Sequence, residues 1–223
     1  MSRLILDIAT CPLDGAADWL PAVRAARNLK DPAKIAADIA ERTAAQQDGM
    51  GLDFDLCRIS AIGMWEPDLE IGPSVVAALT EDEEYDILKD ARKELKDAET
   101  ITYNGLAFDL PLIERRLLYL GLEPLKWNLD RFRTPHIDLF QKLSGGDKTR
   151  YRSLEFYAKR LGWSDLVKPL SGAQEATALK DGKIEELRAS VAHDVIATYR
   201  LAQWMRVIAP SPFRTASSEE VDL

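Results

Sequence analysis

Three aspartates stand where an acid is either useful or costly. Asp7 lies inside the apolar run LILDIA, Asp109 follows ITYNGLAF, and Asp194 sits in AHDVIATYRL. A carboxylate set among Leu4, Ile5, Leu6 and Ile8, or one residue before Val195 and Ile196, must be paired, exposed or bound to a cation, because burying it unpaired is expensive. Asp109 has a plainer reading as well, an acid favoured at a helix N-terminus by the helix dipole. Taken together, the three suit a hard cation. Magnesium and manganese select oxygen ligands, and phosphoryl chemistry uses two such ions roughly 4 Å apart, one to activate water and one to steady the leaving oxygen. Other chemistries are poorly supplied. The chain has no Walker-type glycine loop, its only histidines are His136 and His193, and its only cysteines are Cys11 and Cys57. A zinc site of histidines or spaced cysteines is therefore not expected, and the thiols read as small buried hydrophobes.

The elements that must position these acids can be read from periodicity. RLILDIATCP reads as a first strand. Residues 16 to 49 are rich in Ala, Lys, Asp and Glu, with helical spacing in ADWLPAVRAARNL and PAKIAADIAERTAAQQ, so a helical insertion is expected over 16–52. CRISAIGMW resumes the strand signal, and LEIGPSVV is a weaker partner across the turn-prone EPD. Thr80 with Glu83 makes a capping box that opens a helix over EDEEYDILKDARKELKDA. A short strand, ETITYNG, closes on Asn-Gly and feeds the helix FDLPLIERRLLYLGL. HIDLF is expected as a strand, SLEFYAKRLGW as a helix, and GKIEELRASVAHDVIATYRLAQWMRVIA as a long final helix with Ser190 marking a point where it could break. Strands alternating with helices predict an α/β domain, a mixed sheet flanked by helices, over 1–208. The tail 209–223, PSPFRTASSEEVDL at its end, has little core-forming content and is expected to be disordered; an acidic peptide that docks on a protein partner is the alternative.

Bulk composition narrows the function. The chain is 46% hydrophobic and 30% charged, an ordinary globular balance. No apolar run approaches the roughly 18–20 residues of a bilayer span, and the N-terminus shows no basic segment leading into an apolar stretch, so no membrane is expected and the cytoplasm is the expected location. A net charge of −8 argues against nonspecific coating of nucleic acid. The charge is uneven, however. Between Arg115 and Lys168 there are twelve Lys/Arg against six Asp/Glu, while the rest of the chain is net −14. A basic middle could meet phosphates or could simply be a solvated face.

Three separated stretches resemble a known family. LILDIATCP is similar to the first motif of the 3′-to-5′ exonucleases of the DEDD superfamily, an Asp-x-Glu in a strand; ITYNGLAFDLPLIERR is similar to the motif in which Asn-Gly precedes Phe-Asp and a proline opens a helix; GKIEELRASVAHDVIATYRL is similar to the last, aspartate-bearing motif. HIDLF and SLEFYAKRLG support them. The likeness, which is to the proofreading-type exonucleases related to family-B DNA polymerases, runs from Arg3 to about Trp204 and is thin across 16–56. It implies a ribonuclease H-like fold, a two-metal site for magnesium or manganese, and hydrolysis of the last phosphodiester of single-stranded DNA or RNA at the 3′ end, releasing nucleoside monophosphates. Asp7 would bridge two metals, Asp194 would hold the metal that activates water, and Asp109 would reach the second metal through water. Asn104 and Phe108 would line the site of the terminal nucleotides. Beside them, Tyr103, Tyr151 and Trp163 are candidate stacking rings, with core packing expected for at least half of these aromatics. Arg150, Arg152, Lys159 and Lys168 are candidate phosphate contacts.

Two positions depart from the family. Ala9 stands where the family has glutamate. Because Asp7 and Ala9 point to the same face of a strand, the missing carboxylate would have met the same metals as Asp7, and the chain is expected to bind the water-activating metal poorly and to cleave slowly or not at all. The family also places Tyr four residues, or His five, before the last aspartate to orient the attacking water. Here those positions hold Ser190 and Ala189. Ser190 shares a helix face with Asp194 and could hold a water; His193 is turned about 100° away and reads as a surface or groove residue. Ala9 has two explanations, an engineered glutamate-to-alanine exchange in an active nuclease or a natural module that binds nucleic-acid ends without cleaving. The intact Asp7, Asp109 and Asp194 favour the first and Ser190 leans toward the second. A third class is an accessory subunit of a replication or defence complex. Nothing in the sequence separates DNA from RNA, a choice made by contacts to the 2′-hydroxyl.

Overall fold

The computed structural model describes residues 2–69, 71–166, 168 and 170–208. The sheet is built around β1 (Arg3–Pro12), whose alternating side chains serve two different layers. Leu4, Leu6 and Ile8 enter one core; Ile5, Asp7, Ala9 and Cys11 face the other side. β2 (Cys57–Trp65) runs antiparallel to β1 and carries β3 (Ser74–Ala77) on its outer edge, while β4 (Glu99–Thr102) and the two-residue β5 (Ile137–Asp138) extend the sheet in parallel on the other side. The order is β3-β2-β1-β4-β5. This is the mixed α/β sheet expected from the alternation of elements.

Helices cover both faces. α1 is Pro32–Gly49, α2 is Glu81–Leu95, α3 is Asp109–Tyr119, α4 is Leu139–Ser144, α5 is Leu154–Arg160, α6 is Gly172–Lys180 and α7 is Ile184–Trp204. Leu88 and Leu95 of α2 and Leu110, Leu112, Ile113 and Leu117 of α3 pack on Leu4, Leu6 and Ile8. On the opposite face Val195 and Tyr199 of α7 meet Ile5 and Ile101, and Leu187 and Val191 meet Ala9, Cys11 and Ala61. The approach of α7 to β2 needs Gly63, since a Cβ there would lie 2.7 Å and 2.8 Å from methyls of Val191 and Val195.

Several sequence expectations are corrected. ADWLPAVRAARNL forms only a 3-10 turn over Ala16–Trp19, because Pro21 lacks the N–H a continuing helix needs. The second half of that segment is α1, opened by Asp31, whose carboxylate accepts the Ala33 N–H, with Pro32 at its first turn. LEIGPSVV gives a strand only from Ser74. HIDLF is a two-residue strand that turns at once into α4, because the Asp138 carboxylate caps it by accepting the Gln141 N–H at 3.2 Å. α7 is unbroken at Ser190. At α2, Thr80 Oγ accepts the Glu83 N–H, but the Glu83 carboxylate accepts from Leu79, one residue earlier than a reciprocal box requires. The tail 209–223 lies outside the described residues. Among the described residues no helix is long and apolar enough to cross a membrane. Cys11 and Cys57 are buried free thiols, their pKa values pushed up to about 11 and about 12 by burial.

A buried ion pair locks α2 to α3. Arg116, 1% exposed, donates through Nε and Nη2 to the fully buried Glu84 at 2.9 Å and 2.6 Å, and Glu84 also accepts the Ile59 N–H of β2 at 2.7 Å. Removing one partner strands the other in low dielectric. Arg116→Met should lower stability by about 3–5 kcal/mol, a drop in melting temperature on the order of 10 °C for a domain of this size. Thermal melts read it; a shift of under about 2 °C would show that the pair holds nothing.

Candidate active site

The turn after β4 builds one side of the site. Asn104 adopts a left-handed φ of 67°, which asparagine tolerates, and Gly105 must be glycine because a Cβ would lie 2.4 Å from Thr102. The Asp138 carboxylate holds the turn by accepting the N–H groups of Asn104 at 2.9 Å and Leu106 at 3.1 Å. Burial raises the Asp138 pKa, and its backbone donors partly oppose that. Held this way, the chain enters α3 with Asp109 as its first residue, and Asp109 Oδ1 accepts the Ile8 N–H at 3.2 Å. Asp109 is thereby fixed beside the strand residue next to Asp7.

Asp7, Asp109 and Asp194 act on one another. Burial pushes the Asp7 pKa well above the usual carboxylate range; the charges of Asp194, Asp109 and, less strongly, Glu175 push it further, and Lys168 opposes them. Asp109 is raised to about 7, chiefly by burial, with Asp138 and Asp194 adding to it and backbone N–H groups opposing. The three predicted acids, far apart in sequence, thus share one neighbourhood. The consequence for stability has a definite sign. A carboxyl with a folded-state pKa raised from 3.8 to about 7 keeps its proton where the unfolded chain has released it, so its contribution is full below pH 4 and is lost as pH rises through 7. In EDTA, the protein should lose about 2–4 kcal/mol of stability between pH 4 and pH 7.5 through Asp109 alone. Urea melts at the two pH values check this; a curve that is flat or rises would rule out the repulsive cluster.

Lys168 lies where a cation would be drawn. Its ammonium donates to Asp194 Oδ2 and sits 2.8 Å from Glu175 Oε1. Burial lowers its pKa, but the two carboxylates more than offset that and hold it protonated. Ser190, fully buried on α7, donates its hydroxyl to the same Glu175 oxygen at 2.7 Å. Its hydroxyl is therefore turned to α6 and Glu175. Nor is Lys168 directed at an open phosphate position. Glu175 itself is a site residue that the sequence reading missed, although Ser171 and Gln174, a capping box, announce the helix that carries it.

A cleft of about 330 Å³ opens over this cluster, with Asp7, Asp194, Lys168, Tyr103, Tyr151 and His193 in its walls. His193 is a groove residue: Nδ1 is 3.8 Å from Asp194 Oδ1, and both ring nitrogens are buried with no hydrogen-bond partner. Of the candidate stacking rings, Tyr151 is open, at 53% exposure, whereas Trp163 packs in the core and Phe108 packs edge-on against Phe54. The Tyr103 hydroxyl donates to the Arg152 carbonyl, and its ring meets Phe140 and Tyr157. Arg152 lies over the Phe156 ring, Arg150 pairs with Asp147 at 3.3 Å and Lys159 with Glu155 at 2.6 Å, all on the outside of the domain.

Does the cluster fit a divalent metal? Its donors are carboxylate oxygens, the kind magnesium and manganese select, and their mutual repulsion is eased by a single ammonium. In kind and charge the residues fit. Among the described residues, however, no three acidic, histidine or cysteine side chains already converge on one metal-sized point, so an ion would require the ligands to close on it.

No curated protein matches the chain. The structure is similar to a family B DNA polymerase from the hyperthermophilic archaeon Pyrobaculum calidifontis, with a TM-score of 0.56 and 17% sequence identity over 92% of this chain; the match spans 24% of the polymerase chain. That likeness bears out the ribonuclease H-like fold. A family model described as a predicted 3′-5′ exonuclease related to the exonuclease domain of PolB matches residues 52–212. The chain belongs to this family of predicted 3′-5′ exonucleases related to the exonuclease domain of PolB.

Proposed function

We propose that the protein shortens single-stranded nucleic acid, DNA by preference, from its 3′ end, releasing nucleoside monophosphates, and that Ala9 weakens but does not abolish this activity. The observation that carries the reading is the set of mutually repelling aspartates, Asp7, Asp109 and Asp194, of which Asp7 and Asp194 line an open cleft and Asp109 is buried beside it. Magnesium or manganese, when bound, would supply the charge that makes water a nucleophile and stabilises the leaving oxygen. The chain's own residues do the positioning. Asp7 interacts with both Asp109 on α3 and Asp194 on α7 and is suited to serve both sides of the scissile phosphate. The Asn104–Gly105 turn and Phe108, beside Asp109, would line the site of the terminal nucleotides, and Tyr151 in the cleft wall offers a ring to a base. Arg150 and Lys159 can meet the backbone, since exposed ion pairs such as theirs are worth under about 1 kcal/mol and a phosphate displaces them easily, and Arg152, exposed over the Phe156 ring, can join them.

A second reading is a module that holds a nucleic-acid end without cutting it. Ala9 and the ammonium of Lys168 on Asp194 favour it. Incubation with 5′-labelled single-stranded DNA, RNA and dinucleotides, in magnesium, manganese or EDTA, separates the two: metal-dependent ladders shortened from the 3′ end support the nuclease, and a retained but intact oligonucleotide supports the module. We further propose a cytoplasmic protein whose tail, 209–223, docks on a partner; copurification with and without the tail tests that.

A further inference from the structure

We infer that Glu175 on α6 replaces, from a different element, the carboxylate that β1 lacks at Ala9, and that Lys168 is an internal cation holding its place until a divalent ion enters. The inference rests on the reading of the cleft as a divalent-cation site.

Position 9 faces α6 and α7, where Ala9 is 3% exposed and packs with Leu179, Leu187 and Val191. Glu175 lies one helical turn before Leu179 on α6, so it projects from the same side of that helix toward the same face of β1. It is 7% exposed, too buried for an incidental surface acid, and close enough to Asp7 for the two charges to interact. A buried acid needs a reason and partners. Its partners are two donors with different implications. Ser190 fixes the carboxylate on its α7 side, as a supporting hydrogen bond fixes a metal ligand. Lys168 is shared with Asp194, so one ammonium bridges two carboxylates contributed by separate helices. That is the task of a divalent ion, performed by a side chain with half the charge.

Two further features mark the spot as built for a ligand. Both ring nitrogens of His193, beside Asp194, are buried without a hydrogen-bond partner. Lys168 itself belongs to no helix or strand, and so can withdraw without unravelling one. In a chain with glutamate at position 9 the strand would deliver the fourth carboxylate. Here a helix delivers it, across Ala9.

Titration of the metal-free protein with Mn²⁺, reading free Mn²⁺ by electron paramagnetic resonance, tests this without an activity assay. Glu175→Gln should weaken Mn²⁺ binding at least tenfold, and Lys168→Met, which removes the competing cation, should tighten it several-fold. Ala9→Glu placed in the Glu175→Gln protein should recover the lost affinity, which a merely structural role for Glu175 would not allow. Asp194→Asn serves as the reference. If it abolishes binding while Glu175→Gln binds like the parent, the role of Glu175 is overturned and the metal-site reading stands. If the parent itself binds no Mn²⁺, both fall. Should Glu175→Gln prove unfolded by circular dichroism, Lys168→Met decides: unchanged or weaker Mn²⁺ binding overturns the inference.

Discussion

Asp7→Asn is expected to do two opposite things: to reduce metal-dependent nucleotide release by on the order of 10³-fold, and to stabilise the metal-free protein. The first follows from position. Asp7 interacts with both Asp109 and Asp194, and in the proposed two-metal site it is the shared ligand, so losing its charge would remove more than one ligand at the site's edge. Loss of a single well-placed electrostatic contact to a developing charge commonly costs about 10²–10³ in rate, and a shared ligand stands at the upper end. The second follows from burial. Asp7 is desolvated and repelled by neighbouring carboxylates, with only Lys168 against them. Asparagine keeps the size and removes the charge. The metal-free variant should therefore gain about 1–3 kcal/mol at pH 7.5, a few degrees in melting temperature, and lose that advantage near pH 4, where the parent carboxyl is protonated. Added Mn²⁺ should stabilise the parent and leave Asp7→Asn nearly unmoved. A variant that loses activity and stability together would mean that Asp7 is structural.

How much of this was legible in the sequence depended on how local the cause was. β1, β2, α2, α3 and α7 could be read because each carries its own hydrophobic period, and the Asn104–Gly105 turn because its chemistry is contained in two residues. The grouping of Asp7, Asp109 and Asp194 was read through resemblance; no spacing rule brings residues 7, 109 and 194 together. What stayed hidden was pairwise and long-range. Arg116 sits on α3 like any helix cation, and nothing marks Glu84, 32 residues away, as its buried partner. Lys168 looked like one more charge in a basic stretch, yet its partners are acids. Glu175 was missed because SGAQEATALK has a weak apolar stripe, and only its capping box identifies the helix. HIDLF misled for a related reason: Asp138 is both strand end and helix cap, and a two-residue strand has too short a period to detect.

The largest gain is expected from Ala9→Glu. A glutamate there would point to the same side as Asp7 and bring from the strand a fifth carboxylate, beside those of Asp7, Asp109, Asp194 and Glu175. Metal-dependent degradation of single-stranded DNA from its 3′ end should rise on the order of 10²-fold, the scale of one restored electrostatic contact. The change carries a structural cost as well. Ala9 is packed against Leu179, Leu187 and Val191, and a longer side chain must displace part of that cluster or bend along the cleft. A fifth acid also adds to the repulsion that Lys168 opposes. Metal-free Ala9→Glu should therefore melt several degrees below the parent at pH 7.5, and Mn²⁺ should recover more than the difference, because binding to the folded state alone stabilises it in proportion to the logarithm of the affinity gained. Activity and metal response together separate the readings. A variant that gains Mn²⁺ affinity and cuts identifies a nuclease weakened at one residue. A variant that gains Mn²⁺ affinity, stays folded and leaves DNA intact identifies a module for holding ends, in which the ammonium of Lys168 on Asp194 is a working part and not a placeholder.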